Sequence, residues 1–64
     1  MKKSLRIDEV SEVLNCHRRT VYRLIEDGEL EAFRVRTSLR VRTEELESYI
    51  KRQSDALKEA LDLM

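Results

Sequence analysis

IDEVSEVLNCHRRTVYRLIEDG, residues 7–28, decides the fold. Ile7, Val10, Val13 and Leu14 recur at helical spacing, and Asp8 and Glu9 stand where acids favour a helix N-terminus. The spacing predicts a first helix over 7–14. Asn15, Cys16 and His17 break the pattern as a short turn. Val21, Leu24 and Ile25 then mark the inner face of a second helix over about 18–27. Gly28 is the only glycine in the chain and falls where a left-handed residue would stop that helix. Asn15 can take a left-handed conformation too.

Two short helices joined by a three-residue turn form a helix-turn-helix arrangement. After Leu30 the apolar period changes from 3.6 to 2. Phe33, Val35, Leu39 and Val41 alternate with Arg34, Arg36, Arg40 and Arg42, which predicts a β-hairpin with one buried face. Pairing Val35 with Val41 and Arg36 with Arg40 would turn every apolar residue inward, leaving a loop over Thr37–Leu39. That register also sets Arg34 opposite Arg42. From Thr43, a candidate N-cap, the helical period returns and nothing stops it before Met64. The expected fold is mainly α with a small β-hairpin, a winged helix-turn-helix. Residues 1–52 would form the domain and 53–64 a C-terminal helical extension or tail.

Charge is balanced in total, 13 basic against 13 acidic residues, but not in distribution. Residues 17–23 hold three arginines and no acid, and residues 32–43 hold four more. The second helix is charged against its own dipole, with Arg18 and Arg19 in its first turn and Glu26 and Asp27 at its end. Each misplaced charge costs about 0.3–1 kcal/mol at low salt. In projection Arg19 and Arg23 point away from Val21, Leu24 and Ile25, with Arg18 and Tyr22 along one edge and Thr20 along the other. On the expected hairpin four arginines would share one face, two pairs of them directly opposed, which destabilises a sheet. Solvated faces usually mix signs. Both arrangements call for a polyanion, and double-stranded DNA is the expected partner.

The chain resembles the excisionase-type DNA-binding domain of the MerR-like winged-helix superfamily over about residues 5–52. The matching pieces are RRTVYRLI (18–25), DGEL (27–30), AFRV (32–35) and LRVRTEEL (39–46). The resemblance implies that the second helix enters the major groove and that the hairpin acts as a wing on the backbone or adjacent minor groove. It places Arg18, Arg19, Thr20, Tyr22 and Arg23 on the recognition helix, and Arg34, Arg36, Ser38, Arg40 and Arg42 on the wing. The chain departs from the family pattern at Asn15-Cys16-His17, where a Gly-hydrophobic-Ser turn is usual. Arg6 stands where a threonine often caps the first helix. Thr37, Ser38 and Leu39 occupy a wing tip that usually carries glycine.

Other chemistries find little support. One cysteine and one histidine, adjacent at Cys16-His17, do not make a zinc site, and no second histidine exists to activate the thiol. Glu44 and Glu45 stand at a helix start, where acids favour the dipole. No enzyme activity, cofactor or metal is expected. A single cysteine excludes an internal disulfide and fits a reducing, cytoplasmic setting, bacterial or phage-encoded by resemblance. No apolar run approaches the ~20 residues of a membrane span, and MKKSLRIDE does not read as a signal peptide.

Residues 53–64 read as a disordered tail, as a helix packed on its own domain, or as a helix for dimerisation or integrase contact. Leu46, Ile50, Gln53, Leu57, Ala60 and Met64 step by 4, 3, 4, 3 and 4, the spacing of a coiled-coil seam. Leu57, Leu61 and Met64 favour the contact reading. The expected role is that of an accessory factor that directs site-specific recombination in a phage or mobile element. Its partners would be DNA, an integrase or recombinase, and further copies of itself. A small transcriptional regulator of the same fold is the alternative. A protein-interaction module with a basic face is the alternative of another class.

Overall fold

The computed structural model describes residues 3–62. In chain order the elements are β1 (Ser4–Arg6), α1 (Ile7–Leu14), α2 (Arg18–Glu26), β2 (Phe33–Val35), β3 (Ser38–Arg42) and α3 (Thr43–Asp62). The strands form one antiparallel sheet in the order β1-β3-β2, so β3 is central. Three helices with a small sheet are the architecture of a winged helix-turn-helix.

Both helices of the first pair stop by identifiable chemistry, and α1 also starts by it. Arg6 precedes α1 in extended conformation, and its backbone N–H donates to Glu9 Oε1 at 3.0 Å. A guanidinium has no acceptor, so this reciprocal bond from Glu9 replaces the cap that a threonine would supply. α1 ends in Asn15 at φ 52°, with the Asn15 N–H on the Glu12 carbonyl and the Cys16 N–H on the Ser11 carbonyl. α2 ends the same way on Gly28 at φ 77°, with the Gly28 N–H on Ile25 and the Glu29 N–H on Leu24. Each set is a Schellman motif, which satisfies two orphan carbonyls and reverses the chain within three residues. His17 makes no side-chain cap for α2.

Ile7 and Val10 of α1, Val21 of α2, Leu30 of the following loop, Val41 of β3 and Leu46 of α3 form the buried core. Leu5, Leu14, Cys16, Leu24, Ile25, Leu39 and Tyr49 pack against them half-buried. Each fully buried aliphatic side chain contributes ~1.5–3 kcal/mol of transfer free energy. Arg52 Nη2 donates to the Glu29 carbonyl at 2.9 Å and so ties α3 to the loop after α2.

The hairpin register differs from the expected one. Phe33 pairs with Arg40, Arg34 with Leu39, and Val35 with Ser38. The turn is the two residues Arg36 and Thr37, made without glycine because Arg36 adopts a left-handed φ of 58°. The expected pairs Val35–Val41, Arg36–Arg40 and Arg34–Arg42 do not form. The other edge of β3 is taken by β1, a strand too short to show alternation in the sequence. It pairs Leu5 with Val41 and Arg6 with Arg40, so the core face of the sheet is built from Leu5, Val41 and Leu39. β2 is an edge strand and need not bury all of its apolar residues. Phe33 lies on the opposite face, its ring 5.4 Å from the Arg42 guanidinium, a cation–π contact. Val35 is 46% exposed. On α1, Val13 also points outward, 56% exposed, although the helical spacing grouped it with the core.

α3 runs unbroken for 20 residues, about 30 Å at the α-helical rise. Only its first half meets the domain: Leu46 is buried and Tyr49 half-buried, whereas residues 51–62 are all exposed. Residues 53–62 are helical, and beyond Gln53 and Ser54 they run clear of the domain. Met64 of the expected seam lies outside the described residues. No helix among the described residues is long and apolar enough to cross a membrane.

Candidate nucleic-acid interface

Two surfaces of one sign lie side by side. The first is the outer face of α2. Burying Val21 turns Arg18, Arg19, Thr20, Tyr22 and Arg23 outward, all of them exposed. His17, Arg18, Arg19, Thr20 and Arg23 surround one shallow hollow on that face. The N-terminal turn of α2 also presents free N–H groups, which favour anions.

The second surface is an open cleft of about 570 Å³ between the start of α1, α2 and the hairpin. Arg18 and Tyr22 line it from α2, Arg6 and Asp8 from the start of α1, and Arg34, Thr37, Ser38, Leu39 and Arg40 from the hairpin. Four arginines thus face one carboxylate. Asp8 Oδ1 accepts from Arg18 Nε at 2.8 Å, and the two side chains are 64% and 62% exposed. Such an exposed pair contributes ~0–1 kcal/mol. It nevertheless offsets part of the dipole cost of Arg18 in the first turn of α2. Among the described residues no ion pair engages Arg34, Arg36 or Arg40.

The wing arginines do not share one face as the sequence suggested. Arg34 stands on the core side of the sheet beside Leu39, Arg40 stands on the other side beside Phe33 and Arg6, and Arg36 occupies the turn. The expected opposed pairs Arg36–Arg40 and Arg34–Arg42 are absent, and a different one, Arg6 opposite Arg40, is present. Arg34 and Arg40 still meet in the cleft, together with Ser38. Arg42 is diverted: it covers Phe33 and shares a small hollow with Glu31 and Glu45. Sequence reasoning missed Arg6 and Asp8. Both flank the start of α1, and only the pairing of β1 with β3 brings them to the hairpin.

A third surface is apolar. Leu14, Cys16, Thr20, Leu24, Tyr49, Ile50, Gln53 and Ser54 line a groove between α2 and α3. Beyond it α3 carries Leu57 and Leu61, 62% and 61% exposed. Ile50, Leu57 and Leu61 fall on one side of the helix at i, i+7 and i+11, continuing the groove as a stripe.

The arginine-faced α2 beside a basic cleft and a hairpin defines a helix-turn-helix protein equipped to meet a polyanion. The family comparison agrees: residues 4–54 match the model of the helix-turn-helix domain family, and the chain belongs to that family. Membership implies DNA binding. No curated protein and no solved structure matches the chain.

Proposed function

We infer that the protein binds double-stranded DNA sequence-specifically, with α2 in the major groove and the hairpin on the backbone. The observation that carries this reading is the adjacency of an exposed Arg19/Arg23 face to a cleft with four arginines and one acid. Arg19 and Arg23 are the base readers, because they project furthest from the core side of α2. Arg18, Tyr22, Arg34 and Arg40 hold phosphates from the cleft and so fix register rather than sequence. Arg36 at the turn extends the basic surface.

The biological role proposed is that of an excisionase-like accessory factor, a binding protein rather than an enzyme. The helix-turn-helix family match and the segment order RRTVYRLI–DGEL–AFRV–LRVRTEEL support it. Such a factor would bind near a recombination junction and steer an integrase toward excision. An integrase gene beside its own, and stimulated excision on supercoiled substrate, would separate this role from transcriptional regulation.

Binding itself is tested with a labelled duplex library. Specific duplexes should be retained at low salt, with log K falling by ~0.9 per phosphate neutralised as log salt rises. Retention of no duplex at low salt would remove the DNA reading and leave a protein-interaction module. The exposed Leu57 and Leu61 support self-association or integrase contact through α3. Sedimentation of the full chain is expected to show association that the chain ending at residue 52 lacks; identical monomers would end the self-association proposal.

A further inference from the structure

The Asp8–Arg18 pair lies inside the cleft assigned above to phosphate, and the inference drawn from it rests on that assignment. Asp8 is the one acid lining the cleft, against Arg6, Arg18, Arg34 and Arg40. The cap of α1 is made without its contact with Arg18. The start of α1 is closed by Glu9, which takes the Arg6 N–H, and Ser11 Oγ bonds the Asp8 carbonyl rather than its carboxylate. Both partners of the pair are mostly in water, where a polyanion can compete.

We propose that Asp8 is a resident phosphate mimic that sets the baseline affinity of the protein for polyanions. In the free protein its carboxylate holds the Arg18 guanidinium in the cleft, at the distance and with the charge a phosphate oxygen would offer. On binding, a phosphate takes over Arg18 and Asp8 stays nearby as a like charge. Arg18 therefore costs an internal ion pair when it engages DNA, and every duplex bears the same cost. Arg19 and Arg23, on the outer face of α2, are spared it. General attraction is held down while base readout keeps its full strength.

Asp8→Asn removes the charge and keeps the shape. It should be compared with the wild type, Arg18→Ala and the double variant on a random-sequence duplex and on heparin, with thermal unfolding of each. Asp8→Asn is expected to bind both polyanions about 3- to 10-fold tighter at low salt. Its log K against log salt slope on the duplex should stay near that of the wild type, because Arg18 engages one phosphate in both proteins. The gain should shrink in the Arg18→Ala background to what the lost repulsion between Asp8 and phosphate supplies. An unchanged affinity, or a gain undiminished in Arg18→Ala, would overturn the proposal. If the wild type binds no duplex, it is the DNA reading that fails, and the heparin comparison still decides the role of Asp8. Should Asp8→Asn unfold, Asp8→Ser keeps an oxygen at the helix start without the charge, and the same outcomes apply.

Discussion

Val41→Asp is expected to abolish the cooperative thermal transition of the protein. Val41 is fully buried at the centre of β3, paired with Leu5, within a core of six residues. An unpaired carboxylate there costs several kcal/mol after relaxation. A domain of this size rarely holds more than ~3–5 kcal/mol in total. Circular dichroism at 222 nm should show low helicity and a broad, non-cooperative melt. Val35→Asp provides the contrast. Val35 occupies the same phase of the apolar alternation but lies on the other face of an edge strand, about half exposed. That change should shift stability by no more than ~0.5 kcal/mol. Equal damage from the two would mean that Val35 and Val41 share the core face, and the register described here would be wrong.

Arg23→Ala is expected to lose sequence preference while leaving the fold intact. Arg23 is exposed on the outer face of α2, opposite the buried Val21, and among the described residues no ion pair engages it. A bidentate guanine contact discriminates by ~1–3 kcal/mol, so the preferred duplex should bind about 5- to 150-fold more weakly. Random duplexes should bind nearly as before. Arg34→Ala should instead weaken all duplexes alike and lower the salt slope by ~0.9, because Arg34 lies in the cleft and not on the reading face. Competition binding of both variants against specific and random duplexes measures the difference. Uniform losses of equal size from both would contradict the division between reading and gripping.

The local signals were legible because each is settled within a few residues. Helical spacing located α1 and α2, and Asn15 and Gly28 marked their ends because few other residues take a left-handed conformation cheaply. The outward arginines of α2 follow from the same periodicity, since burying Val21 turns Arg19 and Arg23 away. The hairpin misled for a physical reason. Alternation says that residues share a face only within one strand; which faces match across the turn depends on the loop. Here Arg36 accepts a left-handed conformation that nothing in its identity announces. β1 was invisible because three residues carry no period, yet it decides which side of β3 is covered.

By itself, then, the sequence determined a helix-turn-helix, a following hairpin, a long third helix and an uneven placement of arginine. These depend on contacts between near neighbours and on the preferences of single residues. The tertiary structure alone decided the use of the wing arginines. It sent Arg42 onto Phe33, brought Arg34 and Arg40 to the cleft from opposite sides of the sheet, and added Arg6 and Asp8 from the start of α1. The first two placements follow from the β2–β3 register set at the Arg36 turn, and the last from the pairing of β1 with β3 across some thirty-five residues of chain. No short-range pattern encodes a pairing at that distance; it is selected by how the sheet as a whole covers the core.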